Sequence, residues 1–202
     1  MAIVINGSGT VTGLAVGGLP DGTVDAGTLA TNSVDSAELI DGAIDDSHIA
    51  ALAASKLSGT VAAARMPAGS VLQVLIVEDA SEQALSSATY TDTGLSVSIT
   101  PSSTSNKILC MWNMHAYNGV TGAGFGVRLI RGSTNVYTSA QAYDTYVSAS
   151  ENRRRSDYKH LDSPSTTSVI TYKVQVASYG SKSISLNSEG NQTQLVLMEI
   201  AG

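Results

Sequence analysis

The sequence predicts a mostly β protein in two parts, an extended N-terminal repeat and a C-terminal antiparallel β-sandwich of the jelly-roll kind. Three observations support this. An aliphatic residue recurs every five positions through the first quarter of the chain, apolar and polar residues alternate with period two after Val71, and only 14% of the 202 residues are charged. Few charges among many small polar residues favour extended backbone held by strand pairing.

The first twenty residues, MAIVINGSGTVTGLAVGGLP, combine an apolar run with a glycine loop. A dinucleotide-binding fingerprint needs a G-x-G-x-x-G turn that leads into a helix. Here Gly7 and Gly9 are followed by Gly13, one position too late, and β-branched residues, further glycines and Pro20 preclude a helix. We therefore expect no nucleotide cofactor, and an extended segment whose glycines permit close packing against other chains.

Residues 21–69 carry the repeat. The pattern Val/Ile-Asp-x-x-x-Leu/Ile returns every ten residues, and its aliphatic positions extend backwards into a five-residue ladder. The ladder consists of Leu14, Leu19, Val24, Leu29, Val34, Leu39, Ile44 and Ile49. Residues five positions apart do not lie on the same face of a straight α-helix, and they do not lie on the same face of a β-strand. Isolated aliphatics also offer a single chain too little apolar surface to fold alone.

The ladder therefore predicts a thin shaft in which several copies of the chain twist together, with short helical turns along it. A disordered linker is the alternative, because residues 1–60 hold seven acidic residues against a single lysine. The same excess of carboxylates argues against nucleic acid as a partner, since phosphate contacts need clustered Lys and Arg.

Strand patterns begin at Val71, directly after Pro67 and Gly69 end the ladder. Segments such as 95–99 and 170–176 alternate apolar and polar residues, which is typical of half-buried strands. Turns are predicted at residues 92–94, 101–103, 118–119, 131–133, 163–165 and 189–191. Short strands separated by such turns indicate a β-sandwich. The predicted domains are a glycine-rich segment (1–20), the shaft (21–69) and the head (70–202).

Two predicted strands, residues 107–116 and 195–200, are apolar on both sides. A strand of this kind buries both faces, and in a small sandwich we expect the second face to contact another subunit. Cys110 is the only cysteine, so no intramolecular disulfide is possible. Its apolar neighbours predict a small buried side chain rather than a reactive thiol.

Several other classes of protein are disfavoured. The chain shows no signal peptide and no apolar run long enough to span a bilayer. His48, His115 and His160 lack the spacing of metal ligands. Neither a G-x-S-x-G elbow nor a paired-carboxylate motif stands out. We expect a protein that is not an enzyme and holds no metal or other cofactor.

Several segments of the sequence resemble segments of fibre proteins from tailed bacteriophages, especially phages of marine bacteria and cyanobacteria. They are NGSGTVTGLAVGGLPDGT, TLATNSVDSAELIDGAIDDSHIAA, KLSGTVAAARMP, VSITPSSTSNKILCMW and LVLMEIA, and together they cover nearly the whole chain. The resemblance implies a parallel homotrimer in the virion, synthesised in the host cytoplasm, with an interwoven shaft and a head that touches the host surface. It assigns residues 1–20 to attachment to other virion proteins, through Ile3, Val4, Ile5, Gly7 and Gly9.

The resemblance further implies a tail fibre whose head binds a receptor, most simply a polysaccharide of the host surface, without membrane insertion. A short capsid fibre or decoration protein is the first alternative, because the chain starts almost directly with the glycine-rich phrase. A glycan-degrading enzyme is the second alternative.

Residues 143–158 have the composition best suited to receptor binding. The candidates are Tyr143, Tyr146, Arg153, Arg154, Arg155 and Tyr158, with Tyr117 and Tyr179 at predicted loop tips as further candidates. Tyrosine rings stack on sugars, and guanidinium groups pair with carboxylates and phosphates. The alternative is a pair of strands around a solvated loop, in which the three arginines pair with acidic residues of a neighbouring subunit.

The shaft hypothesis predicts the effect of a double substitution in the ladder. Val34→Asp together with Leu39→Asp should abolish protease resistance of residues 1–60, because carboxylates of several copies would be buried close together. Limited proteolysis would test the order of residues 1–60. Near-ultraviolet circular dichroism would show that the head remains folded, because all Phe, Trp and Tyr residues follow residue 60. Unchanged resistance would identify the segment as a linker.

Overall fold

A computed structural model describes residues 49, 51, 58–139, 146, 148 and 151–202. The chain divides into two units, Met1–Gly59 and Thr60–Gly202, and nearly all described residues belong to the second. The predicted attachment segment, Tyr143 and all ladder positions before Ile49 lie outside the described residues. Ile49 is 43% exposed. The shaft and the three-domain division therefore stay predictions.

The described part of the chain contains ten strands and three short 3₁₀ turns. The strands are β1 (Val71–Asp79), β2 (Gln83–Leu85), β3 (Thr91–Ile99), β4 (Lys107–Asn118), β5 (Phe125–Arg131), β6 (Thr134–Thr138), β7 (Asn152–Asp162), β8 (Ile170–Ser178), β9 (Ile184–Leu186) and β10 (Thr193–Ile200). The turns are Ala63–Arg65, Tyr179–Ser181 and Ser188–Gly190. β1 begins at Val71, where the change of sequence pattern predicts the first strand.

The strands form two antiparallel sheets. The six-stranded sheet has the order β1-β10-β4-β9-β2, with β7 on the other edge of β4, and the four-stranded sheet has the order β3-β8-β5-β6. The eight longer strands thus run β1-β10-β4-β7 in one sheet and β3-β8-β5-β6 in the other, which is the strand order of a jelly roll. The predicted antiparallel β-sandwich is confirmed.

The core lies between the two sheets and follows the period-two alternation of the strands. The fully buried side chains come from both sheets: Ile108, Cys110, Met114, Leu195 and Leu197 from the six-stranded sheet, and Leu95, Phe125, Val127, Leu129, Tyr172 and Val174 from the other. Burial raises the pKa of the Cys110 thiol, with the nearby carboxylate of Asp162 adding to the effect. A thiol that stays protonated is a weak nucleophile, as the sequence predicts for this cysteine.

A buried aspartate joins the two sheets near one edge. Asp162, at the end of β7, accepts hydrogen bonds from Arg131 Nη1 at 2.7 Å and from Tyr172 Oη at 2.6 Å. Arg131 and Tyr172 belong to β5 and β8 of the opposite sheet. Burial first, and then the hydrogen bond to Asp162, raise the pKa of the Tyr172 hydroxyl. The phenol therefore remains a donor to the carboxylate and links the sheets.

One predicted turn is wrong. Residues 92–94 lie inside β3, where the pairing with β8 shifts register between Asp92 and Ser96. Gly94 has φ +85°, and a Cβ at this position would lie 2.8 Å from Asp79 Oδ2. The Asp-Thr-Gly sequence therefore forms a β-bulge rather than a chain reversal, because the strands on both sides of it continue to pair.

A second buried carboxylate, that of Glu199, connects β10 to β1 and to the loop after β3. Glu199 of β10 is 1% exposed. It accepts hydrogen bonds from Gln73 Nε2 and Asn106 Nδ2, both at 2.6 Å, and from the backbone N–H and hydroxyl of Ser102 at 2.6 and 2.8 Å. Burial alone would raise the pKa of Glu199, but these donors outweigh it and hold the pKa below its ordinary value.

Replacing Glu199 by Gln should lower the free energy of unfolding at pH 7 by roughly 1–3 kcal/mol, because hydrogen bonds to a charged acceptor are lost. A depressed folded-state pKa stabilises the protein above the unfolded pKa of about 4.3, and this contribution is lost as the pH falls through the folded value. Denaturant unfolding at pH 7 and pH 3 should therefore show a smaller difference between the two proteins at pH 3. An equal difference at both pH values would contradict the assignment.

Candidate functional site

The pairing of β7 with β4 separates the three consecutive arginines. Arg153 lies opposite Tyr117 and Arg155 lies opposite His115, on the outer face of the six-stranded sheet. Arg154 lies opposite Ala116, which is buried on the other face. Successive residues of a strand point to opposite faces, so the Arg153–Arg155 run does not form one cationic patch.

Arg153 and Tyr117 form a partly exposed contact between a cation and an aromatic ring. The guanidinium carbon of Arg153 lies 4.7 Å from the centroid of the Tyr117 ring. Arg153 also donates to Glu189, in the turn before β10. The side chain of Arg153 is 45% exposed, and it is therefore accessible to a ligand. A Cβ on Gly119 would lie 3.3 Å from Tyr117 Cε1, so the loop after β4 packs against this ring.

His115 lies beside these arginines on the same face. Its pKa is lowered, first by burial and then by the positive charges of Arg155 and Arg153. The imidazole is therefore neutral at physiological pH, and the arginines are the cations of this region. Arg155 Nε lies 3.5 Å from Asp157 Oδ1 of its own strand, and both side chains are exposed.

A second aromatic pair packs against the same loop. The rings of Tyr146 and Tyr179 meet edge to face, with centroids 5.7 Å apart at 89°. The backbone N–H of Tyr179 donates to the carbonyl of Gly124 at 2.9 Å, and a Cβ on Gly122 would lie 3.7 Å from Tyr146 Oη. Both pairs thus contact loop 119–124. We call Tyr117, Tyr146, Arg153 and Tyr179 the tyrosine end.

Tyr158 occupies a different environment. Its ring stacks on Trp112 with centroids 5.4 Å apart and packs edge to face against Tyr137 at 6.2 Å. Even-numbered residues of β7 face the opposite sheet, and Tyr158 contacts the core there. His160, two residues later, lies 6.0 Å from the Tyr137 ring. This geometry favours a structural role for Tyr158, whereas Arg153 and Tyr146 lie at the surface.

The outer face of the six-stranded sheet is apolar over two rows of side chains. Strand register defines three rows across β1, β10, β4 and β7: Val74, Met198, Leu109 and Leu161; then Ile76, Val196, Met111 and Lys159; then Glu78, Gln194, Asn113 and Asp157. Ile76 and Leu161 are 60% and 51% exposed. A groove of about 380 Å³ crosses the second and third rows. We call these twelve residues the row face.

The outer face of the four-stranded sheet is polar. The guanidinium of Arg128 lies 4.5 Å from the Tyr90 ring centroid and donates to Gln175, which in turn donates to Asp92. Lys173 Nζ donates to the same Asp92 carboxylate at 3.0 Å. The hydrogen bond from Gln175 and the neighbouring Lys173 lower the pKa of Asp92 against the opposing effect of burial. Such a connected polar surface suits contact with water.

Among residues 58–139 and 151–202, no three His, Cys, Asp or Glu side chains are grouped so that they could hold a metal ion. No helix in the described part of the chain is long and apolar enough to cross a membrane.

No family model and no curated protein matches the chain. Among solved structures, VP2 of infectious bursal disease virus in its subviral particle is 16% identical with a TM-score of 0.38, over 64% of this chain and 37% of VP2. The corresponding protein in the T13 particle of the same virus is 14% identical with a TM-score of 0.41, over 64% of this chain and 36% of that chain. Dimeric latent PorU from Porphyromonas gingivalis is 8% identical with a TM-score of 0.33, over 67% of this chain and 14% of PorU. The chain spans less than two fifths of these proteins, and likeness at this level carries no conclusion about function.

Tyr158 and Arg153 lie in different environments on β7, so we expect their replacement by alanine to lower the free energy of unfolding by different amounts. Tyr158→Ala should lower the free energy of unfolding by about 2–3 kcal/mol, because a half-buried ring and its stacking on Trp112 are lost. Arg153→Ala should cost about 1 kcal/mol or less, since exposed ion pairs and cation–π contacts are weak. Denaturant titrations of the two variants would measure this, and equal costs would contradict the assignment of Tyr158 to the core.

Proposed function

We propose that this protein is a structural fibre of a bacteriophage virion, a homotrimer anchored by its N-terminus whose head binds host-surface polysaccharide, as in a tail fibre. The resemblance of several sequence segments to phage fibre proteins and the β-sandwich head support the overall plan. The tyrosine end carries the binding hypothesis. It presents Arg153 over Tyr117, together with the Tyr146–Tyr179 pair, around one loop.

The chemistry of the tyrosine end fits a sugar ligand that carries acidic groups. Aromatic rings stack on the apolar faces of sugar rings, and the guanidinium of Arg153 pairs with a carboxylate or phosphate. Glu189 already partners Arg153, so an anionic ligand would have to displace or share this contact. Each site is then weak, and three copies in one fibre would supply strong attachment by avidity.

Binding without catalysis is part of the proposal. A lectin-like surface needs exposed rings and donors, which the tyrosine end presents, and it needs no nucleophile, metal or cofactor. The N-terminal residues Ile3, Val4 and Ile5 would attach the fibre to another virion protein by strand addition.

A matched pair of arginine variants tests the receptor hypothesis. Arg153→Ala should reduce adsorption of the purified protein to host cells at least about tenfold, because loss of roughly 1.4 kcal/mol at each site is multiplied by avidity. Arg128→Ala is the control, since Arg128 lies over Tyr90 in a similar contact on the polar outer face. It should leave adsorption unchanged. Added salt should weaken wild-type binding, because the ligand is anionic.

Labelled wild-type protein, R153A and R128A would be compared on host cells at two salt concentrations, with trimer mass checked for each. Equal adsorption of all three proteins would contradict receptor binding at the tyrosine end. That result would favour the capsid-fibre alternative, in which the head is only displayed. Antibody labelling of intact virions would then locate the protein on the tail or on the capsid.

A further inference from the structure

The groove on the outer face of the six-stranded sheet combines an apolar floor with polar walls. Its volume is about 380 Å³, and its outward-facing lining comes from β10, β4 and β7: Gln194, Val196, Met111, Asn113, Asp157 and Lys159. Met111 and Val196 are apolar, whereas the other four side chains donate or accept hydrogen bonds. Apolar surface with a few convergent polar groups, in a volume of this order, is typical of a site for a small ligand.

Asn113 is a buried side chain without a partner in this groove. It is 7% exposed, and its Oδ1 accepts no hydrogen bond from the described residues. Buried carboxamides with a structural role are normally satisfied, as Asn106 is by its hydrogen bond to Glu199. An unsatisfied carboxamide lowers the stability of the fold. Because Asn113 lines the groove, a hydroxyl group of a ligand can supply the missing donor.

The charges along the β7 side of the groove favour a neutral ligand. Asp157 and Lys159 lie two residues apart on the outer face and carry opposite charges. Among the described ion pairs none includes Lys159, and the exposed Asp157 carboxylate meets only Arg155, at 3.5 Å. A sugar unit fits this lining, because its hydroxyls can donate to Asn113 and Asp157 and accept from Lys159. Its carbon-bound hydrogens would cover the apolar floor.

Strand register places the groove in line with the tyrosine end. Three successive outward-facing pairs connect β4 to β7: Asn113 with Asp157, His115 with Arg155, and Tyr117 with Arg153. The first pair lines the groove, and the last pair is the contact between a cation and an aromatic ring. Four residues at about 3.4 Å each separate the two by about 14 Å along one face. A single extended ligand can therefore reach both.

We infer that the groove and the tyrosine end bind one linear oligosaccharide, with a neutral sugar unit in the groove and an acidic unit at Arg153. This assignment rests on the proposed function and specifies how the receptor is bound. With single bonds of about 1.5 Å, a sugar ring and its linking oxygens span roughly 5 Å, so contacts about 14 Å apart need roughly three linked units. The head thus binds an internal stretch of a polysaccharide and not one terminal sugar.

Variants of two groove residues test this assignment. Asn113→Leu keeps a side chain of similar shape but removes the carboxamide. Adsorption of the full-length protein to host cells should fall at least about tenfold, because the hydrogen bond lost in each copy is multiplied by avidity. The denaturant midpoint should stay the same or rise, since an unsatisfied buried group is removed. A structural asparagine would give the opposite pattern, with lower stability and unchanged adsorption.

Lys159→Gln provides a second variant at an exposed position, where folding is not at risk. It should also weaken adsorption, because a donor to the sugar is replaced by a neutral amide. Lys107→Gln is the matched control. Lys107 is an exposed lysine at the start of β4, opposite Ile200, and it does not line the groove. Its replacement should leave adsorption unchanged.

Competition by fragments of the receptor measures the length of chain that is bound. Surface polysaccharide purified from host cells would be partly hydrolysed, separated by size and added to the adsorption assay. Fragments of about three units or more should compete with adsorption of the wild-type protein, whereas single sugars should not. With N113L, the longer fragments should lose most of this advantage, because only the tyrosine end still contacts them.

The outcomes separate the groove from the proposed function. Weaker adsorption of both N113L and K159Q with intact folding supports the shared ligand, and K159Q together with the fragments decides the question if N113L does not fold. Weaker adsorption of R153A alone would overturn the role of the groove and leave the proposed function standing. Weaker adsorption of the groove variants alone would overturn the shared ligand. Adsorption of every variant at the wild-type level would overturn the proposed function and the shared ligand together.

Discussion

The period-two alternation of β4 is the constraint on which the head depends. This strand pairs with β10 and β9 along one edge and with β7 along the other, so its register determines the position of side chains across most of the six-stranded sheet. Its even-numbered residues, from Ile108 to Ala116, lie in the core. Its odd-numbered residues belong to the outer face. A shift of one residue would exchange these two sets, which explains why both the core and the exterior of the sandwich depend on one strand.

Two buried carboxylates support this arrangement where the apolar core ends. Asp162 connects β7 to the opposite sheet through Arg131 and Tyr172, and Glu199 connects β10 to the loop after β3. Each is satisfied by several donors, as a buried charge must be. Asp162 lies on β7 and Glu199 lies on β10, and both strands also carry residues of the row face. The hydrogen bonds of the two carboxylates therefore fix strands whose opposite side forms the apolar outer surface.

The candidate binding residues depend on pairing in a similar manner. The sequence predicts all three consecutive arginines as candidates for receptor binding, but strand alternation sends Arg153 and Arg155 to one face and Arg154 to the other. Tyr117, far away in sequence, becomes the partner of Arg153 because β4 and β7 pair. The tyrosine end thus combines two residues of the predicted segment with two loop-tip tyrosines. Tyr158 instead completes the Trp112 aromatic cluster.

Local pattern was sufficient for part of this structure. The start of β1, the alternation of β3, β5 and β8, the burial of Cys110 and the antiparallel sandwich all follow from side chains that repeat with the period of a strand. Short strands such as β2 and β9 carry too few residues to show a period, and the bulge at Gly94 has the same composition as a turn. Their conformation comes from hydrogen bonds to distant strands. Which apolar side chains face the core, which form the row face, and which tyrosine meets Arg153 were decided only by tertiary pairing, because register between strands far apart in the chain is a property of the folded sheet and not of any single segment.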